Sequence, residues 1–152
     1  MQAAVEGLVN VAVSADVDAS REAIWAVISD PAQMLHVVEA ITRWEPVSDL
    51  DRGLGARYRS VMRVGSTEIG GVVEIVEWRA PADLAWHAVT GIEQRGRLRL
   101  RSRPDGRTRV ELRLHYATTG SPPWGWIAER VAGPMVAGSL RRALAQLSRQ
   151  VS

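Results

Sequence analysis

The chain has 152 residues, 46% hydrophobic and 24% charged, the balance of a folded domain rather than of a disordered chain. It has no cysteine, which excludes disulfides, thiol nucleophiles and thiolate metal sites, and no apolar run approaches the length of a transmembrane helix. All 19 basic residues are arginine, so the isoelectric point near 9.9 overstates the charge, which is only +2 at pH 7. Residues 1–152 read as a single domain, and the N-terminus lacks the basic segment that opens a signal peptide, so a cytoplasmic location is expected.

In chain order, "LVNVAVSADVD" (8–18) reads as a strand, with Leu8, Val11 and Val13 among small and polar residues. "SREAIWAVISD" (20–30) reads as a short helix: Ser20 is the N-cap, Glu22 suits the positive N-terminal dipole, and Ile24, Trp25 and Ile28 form one apolar stripe. Pro31 ends it, and a second short helix is expected through Met34, Leu35 and Val38. From 41 to 118 the period changes from helical to alternating. Strands are expected at 41–47, 56–65, 68–78, 84–90, 94–103 and 107–117, separated mostly by turn residues such as Asp51-Arg52-Gly53, Gly65-Ser66 and Pro104-Asp105-Gly106. Such short connections force antiparallel neighbours. Residues 122–151 return to helical period, with Ile127, Val131, Met135, Leu140, Leu144, Leu147 and Val151 on one side and a kink expected midway at Gly133-Pro134.

The expected fold is α+β: a seven-stranded curved antiparallel sheet wrapped around a long C-terminal helix, with two short helices between strands 1 and 2. One helix cannot fill the space inside a strongly curved sheet of that width. The leftover volume would be an apolar pocket, the usual site for a small hydrophobic ligand.

This order, and four stretches within it, resemble the helix-grip (SRPBCC, START-like) superfamily that includes birch pollen allergen, START lipid-transfer domains and polyketide cyclases. "DASREAIWAVISDP" resembles the strand-to-helix entry of the polyketide cyclase/dehydrase branch, and "DRGLGARYRS" its glycine-bearing turn into the third strand. "VVEIVEWRAPADLAWHAV" resembles its strand, proline turn and following strand, and "AERVAGPMVAGSLRRALAQLSRQV" its terminal helix. The "MLHVVEAIT" segment departs from the Trp- and Pro-rich second helix common in the branch. The resemblance covers nearly the whole chain and implies the fold, with functions that range from transport to ring closure, isomerisation and protein binding.

Alternation assigns side chains to the two faces. Tyr58, Ser60, Met62 and Val64 would face inward, with Arg57, Arg59 and Arg63 outside; Leu84, Trp86 and Ala88, and Val110, Leu112, Leu114 and Tyr116, would also face inward. The expected ligand-lining set is therefore Tyr58, Ser60, Met62, Trp86, Leu98, Leu112 and Leu114 from the strands and Ile127, Val131 and Met135 from the helix. The polar members of the inward-facing set are Tyr58, Ser60 and Tyr116. The cyclase resemblance implies that they could hydrogen-bond a ligand carbonyl or assist enolisation; the alternative is that they bond backbone or water and only shape the pocket. Glu74 and Glu77 have opposite parity, and Glu74, in register with Val72, Val76 and Trp78, is the one expected inside as a candidate base; the alternative is a bulge or an arginine partner. His36, His87 and His115 show no metal-ligand spacing, and His87 and His115 share the outward parity. No phosphate loop or nucleophile elbow is present, so no metal and no nucleotide cofactor is expected. Trp124 and Trp126 could cap the pocket mouth or anchor the helix.

One stretch suggests another class of function. Residues 93–113 hold eight arginines against Glu93, Asp105 and Glu111, most of them alternating with leucine in "QRGRLRLRSRPDGRTRVELRLHY" (94–116). The register puts the leucines on the cavity side and the arginines on the outer face, where no aromatic stands among them for base stacking. A solvated face is the expected role, and nucleic acid is not the expected partner. Three functions follow: a carrier or sensor of a lipid- or polyketide-like ligand, a polyketide aromatase/cyclase-type enzyme, and macromolecule binding through hairpin 94–116.

Overall fold

A computed structural model describes residues 8–33, 41–64, 66–91, 93–117 and 133–151. The strands are β1 (Leu8–Val17), β2 (Ile41–Pro46), β3 (Arg57–Val64), β4 (Thr67–Arg79), β5 (Asp83–Gly91), β6 (Gln94–Ser102) and β7 (Thr108–Ala117). The helices are α1 (Arg21–Ile28) and α2 (Gly133–Val151), and a further helical turn begins at 31–33. Among these residues no helix is long and apolar enough to cross a membrane.

All seven strands form one sheet in the order β1-β7-β6-β5-β4-β3-β2, every neighbouring pair antiparallel. Strands β2 to β7 are a meander, and β1 closes onto β7. The first two strands in sequence are therefore the two edges, and α1 and the chain after it must carry the backbone from one edge to the other. Six strand spacings of about 4.8 Å would hold those edges roughly 29 Å apart in a flat sheet. The sheet is curled instead: Trp44 of edge strand β2 lies edge-on to Trp86 of β5, three strands away, with ring centroids 6.1 Å apart.

Local signals set the element ends. The Ser20 hydroxyl accepts the Ala23 N–H at 3.1 Å, capping α1 with Glu22 in its first turn, and Ile24, Trp25 and Ile28 are its buried residues. Gly106 takes φ +85° in the turn between β6 and β7, a conformation that a residue with a Cβ rarely adopts. Helix α2 buries Leu144 and Leu147 against the core, with Val151 partly buried beside them, and packs on β1 and α1. Gly133-Pro134 stands where the described part of this helix begins, so the kink expected there depends on residues outside the described ones. The second short helix through Met34, Leu35 and Val38, and residues 122–132, lie outside the described residues.

The core is the concave face. Cross-strand register stacks Val13, Leu112, Leu98, Leu84 and Trp78 in one row. Val11, Leu114, Gly96, Trp86 and Ile75 make the next. Helix α1 closes the first end: Trp25 meets Trp78 edge-on with centroids 5.1 Å apart, and the Thr108 hydroxyl donates to the Ala19 carbonyl at 2.7 Å.

Candidate functional site

Away from α1, the side chains on the concave wall become small. Ser60 faces Gly71 across β3 and β4, Ala88 faces Val73, and Gly96 stands where the neighbouring inward residues of β6 are leucines. Large aromatics lean into the room this leaves. The Trp44 and Tyr58 rings stack at 4.9 Å with planes 14° apart, and Trp86 closes edge-on against Trp44. The Trp86 ring lies directly on Gly96, where any Cβ would collide with it. Trp44, Tyr58 and Trp86 are all buried, while Met62 and Ala88 are half-buried at the same end.

Besides the indole N–H groups, two hydroxyls belong to this wall, and they differ. Tyr58 donates its hydroxyl proton to the Asp51 carbonyl at 2.5 Å. Burial, aided by the nearby Asp51 charge, pushes its pKa up to about 12, so the phenol is neutral and its one donor is already engaged by the β2–β3 loop. Ser60 is only 5% exposed and has no hydrogen-bond partner among the described residues. The other buried polar side chains of the sheet are satisfied: Thr108 by Ala19, and Asp83 by Arg101 at 3.0 Å and Arg99 at 3.6 Å. A buried hydroxyl without a partner costs about 1–3 kcal/mol, which a ligand acceptor or donor at that point would recover.

The inward register expected for Tyr58, Ser60, Met62, Trp86, Leu98, Leu112 and Leu114 is the one the sheet adopts; Leu98, Leu112 and Leu114 lie farther along the wall than the aromatic cluster. Ile127 and Val131 lie outside the described residues, as do the side chains of Tyr116 and Met135, although Tyr116 pairs with Val9 and Gln94 through the backbone. Glu74 requires a correction. It faces the convex side, where Arg57 holds it at 2.8 Å, and Val73 and Ile75 are the buried residues of that segment. A β-bulge between Ile75 and Glu77 inserts Val76 into the outer face, so Glu77 also points outward, to Arg97, and alternation resumes at Trp78 with the opposite parity. Counting residues by twos fails across such an insertion.

Trp44 is not among the expected lining residues, because a second bulge between Ile41 and Arg43 breaks the alternation of β2. The glycine at 96 is a legible signal: it interrupts an arginine–leucine alternation at an inward position. Among the described residues the concave face carries no carboxylate or imidazole, and no cluster of His, Asp and Glu is arranged to hold a metal. What this wall can do chemically is surround an apolar molecule, stack on it, and hydrogen-bond it through the Ser60 hydroxyl or the indole N–H groups of Trp44 and Trp86.

The family model described as polyketide cyclase / dehydrase and lipid transport matches residues 9–152. No curated protein matches the sequence. Among solved structures, the chain is similar to the Thermus thermophilus protein TTHA0849, with a TM-score of 0.79 at 18% identity over 93% of this chain and 96% of that one. It is similar to a START superfamily protein from Mycobacterium smegmatis, with a TM-score of 0.75 at 16% identity over 94% and 99%. It is also similar to the Zhui aromatase/cyclase from a Streptomyces species, with a TM-score of 0.74 at 17% identity over 95% and 96%. At such identities these likenesses establish the helix-grip fold.

Proposed function

The chain belongs to the polyketide cyclase/dehydrase and lipid transport family, and from that premise we propose that it binds a small hydrophobic, lipid- or polyketide-like molecule between the concave sheet and α2, as a carrier or sensor. The observation that carries this reading is the Ser60 hydroxyl, buried and without a partner among the described residues, in a wall of Trp44, Trp86 and Met62. Such a wall supplies apolar contact area, and a buried hydroxyl within it gives the ligand an orientation. The absence of a carboxylate or imidazole on the described part of this face favours binding over acid–base turnover.

The test is native mass spectrometry of the protein purified from cells, with a hydrophobic fluorescent probe added to any unliganded fraction. A co-purifying apolar molecule, or probe binding weakened in Ser60→Val, supports the proposal. A protein that is empty and takes up no probe contradicts it. Turnover of a polyketide surrogate that disappears in Ser60→Ala would replace the carrier with a cyclase-type enzyme using the same hydroxyl.

A further inference from the structure

The convex face carries a groove of about 570 Å³ that crosses β1, β7, β6 and β5 and reaches Val76 of β4. Cross-strand register places Asn10, His115, Arg95 and His87 in one row along it. The adjacent row is Ala12, Arg113, Arg97 and Ala85. The two alanines are short, so the depression lies among the longer basic side chains.

The arginines of the groove are not equivalent. Arg97 reaches over Ala85 to Glu77 of β4, two strands away, and Arg113 meets Glu111 at 3.5 Å. Arg95 has no carboxylate partner among the described residues and stands between two imidazoles. The Asn10 amide contacts Nδ1 of His115 and fixes that ring at the groove's edge. Elsewhere the outer face pairs several of its arginines with acids, as Arg57 with Glu74 and Arg109 with Asp16. Here it leaves an uncompensated guanidinium at the centre of a concave patch.

We propose that this groove binds a phosphate group, carried by a small molecule or by a lipid headgroup, with Arg95 as its main contact and His87 and His115 beside it. A guanidinium presents its N–H donors as a planar fork that matches two phosphate oxygens, and the bond is charge-assisted. The remaining oxygens need further donors, which the imidazoles and the outer edges of Arg97 and Arg113 supply. The groove has room for a phosphate together with part of the molecule that carries it, and no Phe, Tyr or Trp side chain lines it.

Calorimetric titration with inorganic pyrophosphate at low ionic strength tests the site, alongside co-sedimentation with phosphatidylcholine vesicles containing phosphatidic acid. Saturable binding in either arm that Arg95→Gln weakens about tenfold or more supports the proposal, and the arm that responds tells a free phosphate from a headgroup. Arg59→Gln is the control: Arg59 is an exposed arginine of β3 outside the groove, and its loss should leave binding unchanged. Both changes are at exposed positions, and thermal melting verifies that each variant folds. No saturable binding in either arm, or an equal loss in Arg59→Gln and Arg95→Gln, overturns the proposal.

Discussion

The β6–β7 hairpin is two surfaces made from the same residues. Inward, Leu98, Leu100, Val110, Leu112 and Leu114 are buried; outward, Arg97, Arg99, Arg101, Arg109 and Arg113 each pair with an acid. Glu77, Asp83 and Asp16 come from other strands, so an arginine ladder that looks unbalanced in sequence is largely neutralised by the sheet's lateral order. A local excess of charge in a strand is therefore weak evidence for a partner until the neighbouring strands are known. Arg95, Arg103 and Arg107 have no acid partner among the described residues, and of these Arg95 lies in the groove.

Neighbouring residues in β6 make the contrast measurable. Leu100 has no exposed surface, and Leu100→Ala should destabilise the protein by about 2–5 kcal/mol in denaturant melts. Arg101→Ala, one residue along, should cost about 1 kcal/mol or less, because Arg99 still reaches Asp83. Equal losses would mean that the outer ion pairs hold the sheet as firmly as the core does. Gly96→Ala should cost about 1–3 kcal/mol and shift the tryptophan emission, since the new methyl displaces Trp86 from its place beside Trp44. An unchanged spectrum would show that the aromatic cluster is not set by this close approach.

Two smaller effects are read against pH. Tyr58 ionises near 12 in the folded protein, above the 10.0 of a free phenol, so the stability it contributes is present below pH 10 and is lost as pH rises through 12. Tyr58→Phe should flatten that alkaline limb in melts across the range and cost about 1 kcal/mol at neutral pH through the lost bond to Asp51. On the convex face, the hydrogen bond from Arg109 holds the Asp16 carboxyl below its usual 3.8. That contribution is present above pH 3.8 and fades as pH falls through the lowered value. Asp16→Asn should remove the fade and change little at neutral pH; a large neutral-pH loss would give this exposed pair a weight the account denies it.

The strands, their limits within a residue or two, and the sidedness of β3, β6 and β7 are legible in the sequence because alternation there is unbroken, and that of β5 is legible up to Ala88, before the extra residue Val89 in its pairing with β4. The N-cap and buried stripe of α1 are legible for similar local reasons. Glu74 and Trp44 are not, because each lies beside a bulge, and a bulge is a relation between two strands that one strand's pattern does not contain. The closure of β1 onto β7, which brings Asn10 beside His115, is equally non-local. Ser60 is readable as an inward hydroxyl, but its lack of a partner among the described residues needs the fold around it.

The division between the faces is tested most directly by nuclear magnetic resonance during titration with a fatty acid. The indole N–H signals of Trp44 and Trp86 and the arginine Nε–H signals can be followed in one spectrum. The two indoles should shift and saturate together while the arginine signals of β6 and β7 stay in place. Shifts confined to the arginines, or none at the indoles, would contradict that division.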